Sequence, residues 1–455
     1  MTRKTNQIIE LAGSLSSADM RKTSPVFFEV PEDVTSIHFL FKYEPMFAED
    51  QRLSHQIRLM IFDTNGPRCA VTKLQADGVT ISEAQATPGG TPGPIPAGRW
   101  RFFILVDRLL SDSPVTYKMT ISMSFDSIPT QPKVWEPGTV AARGAGWYRG
   151  DLHAHTTHSD GHWNVSDLVQ FWRDREVDFM TLSDHNTISG LPELHSLSDD
   201  RLLTLGGCEF TTYFGHAVAV GINQWFDWRK LDGSVLTMPE LAQEVIDSGG
   251  LLTIAHPMDE GDPMCCGCRW QYYDMMPENA LAVEIWNEHW HSSNQESLLL
   301  FYRWLNEGHR LTAVSGTDMH RPQPDVRNAV NVVYAQEFSE RGILDAIKAG
   351  HSYVSAGPEL LLTANTASGQ TAMIGDTLQP EDTIVSVKWD KGHENDSIRL
   401  ILDGNVYREK IVGTLGEAEW QLQAGIAKWF NVELRDADNG LWAVTNPIFF
   451  ENLDQ

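Results

Sequence analysis

Residues 150–161 read GDLHAHTTHSDG, three histidines and two aspartates within a dozen positions, closing the strand-like run WYRGDLHAH. Side chains on a strand alternate between faces, so His153 and His155 point the same way and can grip one cation. Asp160 follows five residues later. Similar donors recur downstream: VDFMTLSDH ends in Asp184 and His185, LLTLGGCEF ends at Glu209, and HAVAVGI begins with His216. LLTIAHP then delivers His256, and LTAVSGTDMH delivers Asp318 and His320, again as an Asp-x-His pair. One H-x-H is a weak signal, and His216 is also readable as a satisfied core histidine. Coincidence at six strand ends is not explained that way.

Between these runs lie segments of helical period: VSDLVQFWRDRE with Asn164 or Ser166 as N-cap, MPELAQEVIDSGG with Pro239 in its first turn, SNQESLLLFYRWLNEG and SERGILDAIKAG. Strand–helix alternation at this spacing predicts a parallel α/β barrel or sheet. In such barrels the C-terminal strand ends converge on one mouth. Imidazoles and carboxylates crowded there are costly without a counter-charge. Divalent ions supply it, and eight or nine ligands imply two or three ions at roughly four to six donors each.

The flanking regions differ in texture. VFFEV, SIHFLFKY, IRLMIFDT, GRWRFFILVD and VTYKMTISMSF, separated by turns such as TPGGTPGPIPAG, predict an N-terminal β-sandwich over 1–125. A Pro-, Gly- and Ala-rich linker at 126–146 leads to the α/β unit at 147–357. ELLLTA, TIVSVKWD, SIRLILDGN and KWFNVELRD predict a small β-sandwich-like domain at 358–455. These flanking domains can shape the mouth, mediate homo-oligomerisation or bind a partner, and their residues do not choose.

Sixty-one acidic against 35 basic residues give a formal net charge of −26, which argues against nucleic-acid backbones and anionic membranes as partners. No run approaches the ~20 apolar residues of a membrane span. MTRKTNQIIELAGSLSS lacks the apolar core of a secretory signal, so a soluble, cytoplasmic protein is expected. Five cysteines, three of them in CCGC at 265–268, fit reduced thiols better than a disulfide framework.

DLHAHTTHSDG, LSDHNT, GCEF, IAHP and GTDMH, in that order, resemble the PHP (polymerase and histidinol phosphatase) superfamily over about 150–356. The three-part organisation is similar to the CehA/McbA-type metallohydrolases. The resemblance implies a distorted (β/α)7 barrel holding up to three Zn, Mn or Fe ions. It implies ligand roles for His153, His155, Asp160, His185, Glu209, His216, His256, Asp318 and His320, with Glu209 bridging two ions. Asp184 would orient His185.

Adjacent cations make hydrolysis by metal-activated hydroxide the expected reaction. Asp318 or His158 would handle the proton, and Arg321 would meet an anionic substrate oxygen. His162 and His195 read, like His158, as loop histidines. The substrate is a small-molecule ester. Metal clusters suit phosphoryl groups, yet few Lys or Arg flank the motifs (Arg269 and Arg321 are the main ones), so a phosphodiester is favoured over a dianionic monoester. Carboxyl esters and aryl carbamates are the alternative, given Trp163, Phe214, Trp225, Trp270, Tyr272, Tyr273, Trp286 and Trp290 near the expected mouth, although packing is the simpler use of those rings. A non-catalytic metal-binding module would show missing ligands, and none is missing. The amidohydrolase pattern, which also opens with H-x-H, often has a bridging carboxylated lysine on a middle strand, and no strand here ends in one.

Overall fold

The computed structural model describes residues 5–47, 53–71, 77–110, 113–126, 133–229, 237–272, 281–323 and 328–451. The N-terminal strands form two four-stranded antiparallel sheets. In one, Gln7–Leu15, Val115–Ser124, Ser36–Glu44 and Val79–Ser82 are neighbours in that order. In the other the order is Pro25–Val30, Gly98–Arg108, Gln56–Phe62 and Pro67–Val71. Alternation in SIHFLFKYE turns Ile37, Phe39, Phe41 and Tyr43 inward.

Gln56–Phe62 does not alternate: it is buried almost throughout. Ile57, Leu59 and Ile61 face the sandwich core. Met60 and Phe62, with Phe103 and Leu105, join a cluster containing Phe210, Tyr213 and Trp228 of the central unit. A continuous apolar run thus marks a strand covered on both faces. Each aromatic buried on this seam contributes about 1.5–3 kcal/mol.

The central strands are β1 (Gly146–Asp151), β2 (Phe179–Leu182), β3 (Leu203–Thr211), β4 (His216–Val220), β5 (Leu251–Ile254), β6 (Ala282–Asn287), β7 (Thr312–Gly316), β8 (Val330–Ala335) and β9 (Ser352–Ser355). The helices are α1 (Val165–Arg173), α2 (Leu191–Ser196), α3 (Met238–Asp247), α4 (Ser292–Asn306) and α5 (Glu340–Lys348). Helix α1 buries Val165, Leu168, Val169 and Trp172, an i, i+3, i+4, i+7 stripe, and Asn164 caps it by accepting from the Asp167 N–H. Thr237 and Glu240 form a capping box on α3.

The strand order is β7-β6-β5-β4-β3-β2-β1-β8-β9. Neighbours from β1 to β3 and from β5 to β7 are parallel. Strand β4 runs antiparallel to both β3 and β5, and β8 antiparallel to β1. The expected (β/α)7 alternation is therefore replaced by a mixed α/β sheet. The cause is local: only Thr212–Gly215 separates β3 from β4, too short for the crossover a parallel pair needs. At the mouth the segments that follow β1 and β7 meet, since Ala154 bridges Met319 in parallel and the Asp318 N–H donates to the His153 carbonyl at 2.9 Å.

Beyond β9 the sheet continues into C-terminal strands through Leu441–Thr445, with Tyr353 paired to Thr445. Thr371–Met373, Glu359–Thr366, Thr383–Asp390 and Gly416–Leu422 make a further four-stranded sheet. No helix among the described residues is long and apolar enough to cross a membrane.

Candidate metal centre

All nine expected donors lie together at the mouth. His153 and His155 follow β1 and are wholly buried, with their Nε2 atoms 3.0 Å apart. Glu209, near the end of β3, is also wholly buried. His216 joins them because β4 is antiparallel, which brings its first residue to the end where parallel strands finish. His256 follows β5, while Asp318 and His320 follow β7.

Among the described residues, three overlapping groups have potential ligand atoms within 4.8 Å of one another: His155, Asp160, His185 and His320; His153, His155 and Glu209; and Glu209, His216 and His256. Glu209 links the last two. Its Oε1 lies 3.0 Å from His216 Nδ1 and 3.3 Å from His256 Nε2. Its Oε2 lies 2.8 Å from His185 Nδ1 and 3.3 Å from the Nε2 atoms of both His153 and His155. Asp318 Oδ1 sits 2.9 Å from His155 Nε2.

The backbone is bent to make this possible. His256 and Asp318 have φ of 29° and 48°, a region costing non-glycine residues about 1–3 kcal/mol each. Glu284 holds the first bend by accepting from the His256 N–H at 3.0 Å. Its other oxygen is 2.7 Å from His153 Nδ1, which turns Nε2 of that ring into the cluster. Gly316 is required beside this contact: a Cβ there would collide with the Glu284 carboxylate and lie 2.5 Å from His153 Cβ. The Cys268 carbonyl orients His256 through Nδ1 at 3.2 Å, and the Asp318 carbonyl orients His320 at 2.8 Å.

Electrostatics follow from crowding. Burial opposes ionisation of Glu209 and Asp318, but the surrounding imidazoles, His185 and His153 foremost for Glu209 and His153 and His155 for Asp318, hold both carboxyls well below their usual range. Burial lowers the histidines, yet Glu209 lifts His256 to about 9, and Asp160 with Asp318 lifts His320 to about 10. His155, buried against His185 and His320, falls to about 4. The carboxylates thus demand positive charge. Asp160 Oδ1, Glu209 Oε2, His216 Nε2 and Asp318 Oδ1 are buried yet make no hydrogen bond among the described residues. Unsatisfied donor atoms of this chemistry, converging in one space, fit divalent cations.

The centre opens into a cavity of about 780 Å³. Asp160, His185, His216, Asp318 and His320 line one part of it, and Tyr43, Met46, Phe47, Ile57, Arg58 and Asp107 of the sandwich line another. Arg58 Nε and Nη2 donate to Asp107 at 2.5 and 2.7 Å, and its Nη1 donates to the Thr211 carbonyl at 2.9 Å. Thr211 Oγ1 is in turn 2.5 Å from His185 Nδ1.

Other expected residues fall elsewhere. Arg321 lines the cavity and is exposed. His158 does not line it: its Nδ1 is 2.8 Å from Ser189 Oγ. His162 does line it, while His195 lies on α2. Asp184 does not orient His185; it accepts from the Thr156 N–H, Thr156 Oγ1 and Ser159 Oγ at 2.6–2.7 Å and so pins the loop carrying Asp160. Cys265 and Cys268 are joined as a disulfide, contrary to the expectation of thiols, because Gly267 with φ of 79° folds the loop back to a Cα–Cα separation of 5.5 Å. Cys69, Cys208 and Cys266 are free and buried. None of the described tryptophans and other rings expected at the mouth lines the cavity; Trp163, Trp270, Tyr272 and Trp286 are buried in packing, and Tyr273 lies outside the described residues. Glu284 and Arg58 are the residues that sequence reasoning missed. Glu284 had a signal, a lone carboxylate inside the apolar run LAVEIWN.

No family model matches this chain, and no curated protein is similar to it at a significant level. Among solved structures it is similar to a two-domain protein from Bacteroides vulgatus containing a predicted PHP-like metal-dependent phosphoesterase, at 15% identity over 67% of this chain and 96% of that one, with a TM-score of 0.39. An amidohydrolase from Chromobacterium violaceum is 18% identical over 39% of this chain and 89% of its own, with a TM-score of 0.28. A putative metal-dependent phosphoesterase from Bifidobacterium adolescentis is 16% identical over 41% and 89%, with a TM-score of 0.29. Likeness at this level fixes neither fold nor activity.

Proposed function

We propose that this protein is a multinuclear metal-dependent hydrolase of the PHP kind, cleaving an ester bond, with phosphodiesters the favoured substrates. The observation that carries this reading is Glu209: a buried carboxylate whose two oxygens face two different sets of imidazoles is arranged as a bridge between cations. His153, His155 and Glu209 would hold one ion, Glu209, His216 and His256 a second, and Asp160, His185 and His320 a third. Bound there, Zn, Mn or Fe supplies Lewis acidity and lowers the pKa of water.

The chain's own residues bind, orient and move the proton. Asp318 faces both the imidazoles and the cavity, and on this reading it takes the proton from the attacking water; His158, engaged with Ser189, is set aside. Arg321 reaches an anionic substrate oxygen from the cavity wall. Charge favours a monoanion. Arg58 is already matched by Asp107, while Asp160, Glu288 and Asp318 add negative charge to the lining. A carboxyl ester or carbamate is the second reading, supported by the apolar side chains of Tyr43, Met46 and Phe47 on the same cavity.

Mn- or Zn-loaded protein assayed on nitrophenyl phosphomonoester, phosphodiester, carboxyl ester and carbamate separates these readings. Preferential turnover of the phosphodiester, lost with chelator and in His155→Ala, is expected. Preference for the carboxyl ester or carbamate would install the second reading, and turnover that survives both controls would overturn the metal mechanism.

A further inference from the structure

We infer that the N-terminal sandwich selects the substrate: it seats an uncharged, ring-sized apolar substituent of the ester on Tyr43, Met46, Phe47 and Ile57, opposite the metal centre. This rests on the hydrolase reading for what happens at the reacting bond, but the subsite itself is argued from the sandwich.

A cavity of about 780 Å³ is far larger than a phosphoryl or carbonyl centre with its immediate oxygens, and falls in the range that encloses a whole small molecule. Its donor-rich part is built by the central strands; its apolar part comes from the strand Ser36–Glu44, the residues just after it, and the strand Gln56–Phe62. Tyr43 and Ile57 are buried and give that wall a fixed base. Met46 and Phe47 are not: they remain 55% and 52% exposed, held at the cavity by the antiparallel bridge from Phe47 to Ser54 and the His55 N–H to Met46 carbonyl bond of 3.1 Å. Two adjacent, large apolar side chains left half in water beside an otherwise acidic cavity are where an apolar ligand group gains most from leaving water.

Charge decides what that group is not. A cation of this wall is Arg58, which pairs with both Asp107 carboxylate oxygens and donates a third N–H to the Thr211 carbonyl. A second phosphate or carboxylate placed here would compete with Asp107 for Arg58 and would face the Asp107 charge. A neutral ring meets no such cost. The substrate class is therefore an ester joining the reacting centre to one aryl or comparably bulky apolar group.

The test pairs two monoanionic diesters with one leaving group, 4-nitrophenyl phenyl phosphate and 4-nitrophenyl methyl phosphate, on Mn-loaded wild type, Met46→Ala and Phe47→Ala. Both residues are more than half exposed, so truncation leaves the packed core intact. Wild type is expected to prefer the phenyl ester, and each variant to lower that preference about tenfold, through KM. A second arm titrates 2-naphthol, a ring that is neutral at pH 7, into protein freed of metal by chelator and follows it by fluorescence; weakened binding in both variants is expected. If naphthol binding depends on Met46 and Phe47 but no ester is turned over, the hydrolase reading fails and the subsite stands. If esters are turned over with the same phenyl-to-methyl ratio in wild type and variants, the subsite is wrong and the hydrolase stands.

Discussion

At the scale of single residues, the site depends on groups that never touch a substrate. Glu284 orients His153 with one oxygen and fixes the strained His256 backbone with the other, so it supports ligands in two of the three groups. Glu284→Gln keeps the size and loses the charge; metal affinity and turnover are expected to fall about 10–100-fold with the fold retained. Metal content after dialysis, read beside circular dichroism, checks this, and full metal content in the variant would contradict it. Protons are the second consequence. His256 near 9 and His320 near 10 are protonated at neutral pH while no cation competes, and a ligand must lose its proton to bind. Metal uptake at pH 7 should therefore release protons and weaken as pH falls, with release declining as pH rises through 9 to 10. Calorimetric titrations in buffers of different ionisation enthalpy measure this; uptake without proton release would mean the rings are neutral beforehand. The nine donors were legible in the sequence because each sits in a short motif at a strand end. Glu284 was not, because its partner His153 is 131 positions away and only the folded sheet brings them together.

At the scale of elements, the sequence announced strands and helices well but not their directions. His216 was the least secure ligand because a strand that begins, rather than ends, with its donor reaches the mouth only if it runs backwards, which the four residues between β3 and β4 enforce. Likewise IRLMIF reads as a strand, but its second apolar face has meaning only once the central unit is packed on it. Arg58 lies on that second face with Met60 and Phe62, and it extends from the sandwich through Thr211 to His185. Asp107→Asn removes one charge from this buried pair, a loss that typically costs about 3–5 kcal/mol. The expected result is a lower Tm together with selective loss of metal from the His155, Asp160, His185 and His320 group. Metal counted by mass spectrometry of the native protein distinguishes outcomes: a lower Tm with the full complement retained would confine the Arg58–Asp107 pair to holding the two units together.

At the scale of the whole molecule, the three regions read from composition are more continuous than their textures suggest. The C-terminal strands extend the central sheet through the Tyr353–Thr445 pairing, a long-range register that no local pattern encodes. The segments after β1 and β7 are joined at the mouth by one short parallel bridge, Ala154 to Met319, flanked by candidate ligands from both: His153 and His155 after β1, Asp318 and His320 after β7. A cation bound between these segments would tie the ends of β1 and β7 together. It would also offset buried negative charge in a chain of net charge −26. Metal should thus stabilise the fold as well as serve the chemistry. Binding to the native state alone adds about 2.7 kcal/mol at a free concentration of 100 Kd. Chelation is expected to lower Tm by several degrees, and reloading with Mn or Zn to restore it. His155→Ala, which removes a donor shared by two groups, should show a smaller shift on loading. Scanning calorimetry with and without metal reads this directly. A Tm indifferent to chelation, in protein whose activity is lost, would mean that the backbone bridge alone closes the sheet and that the cations act only on the substrate.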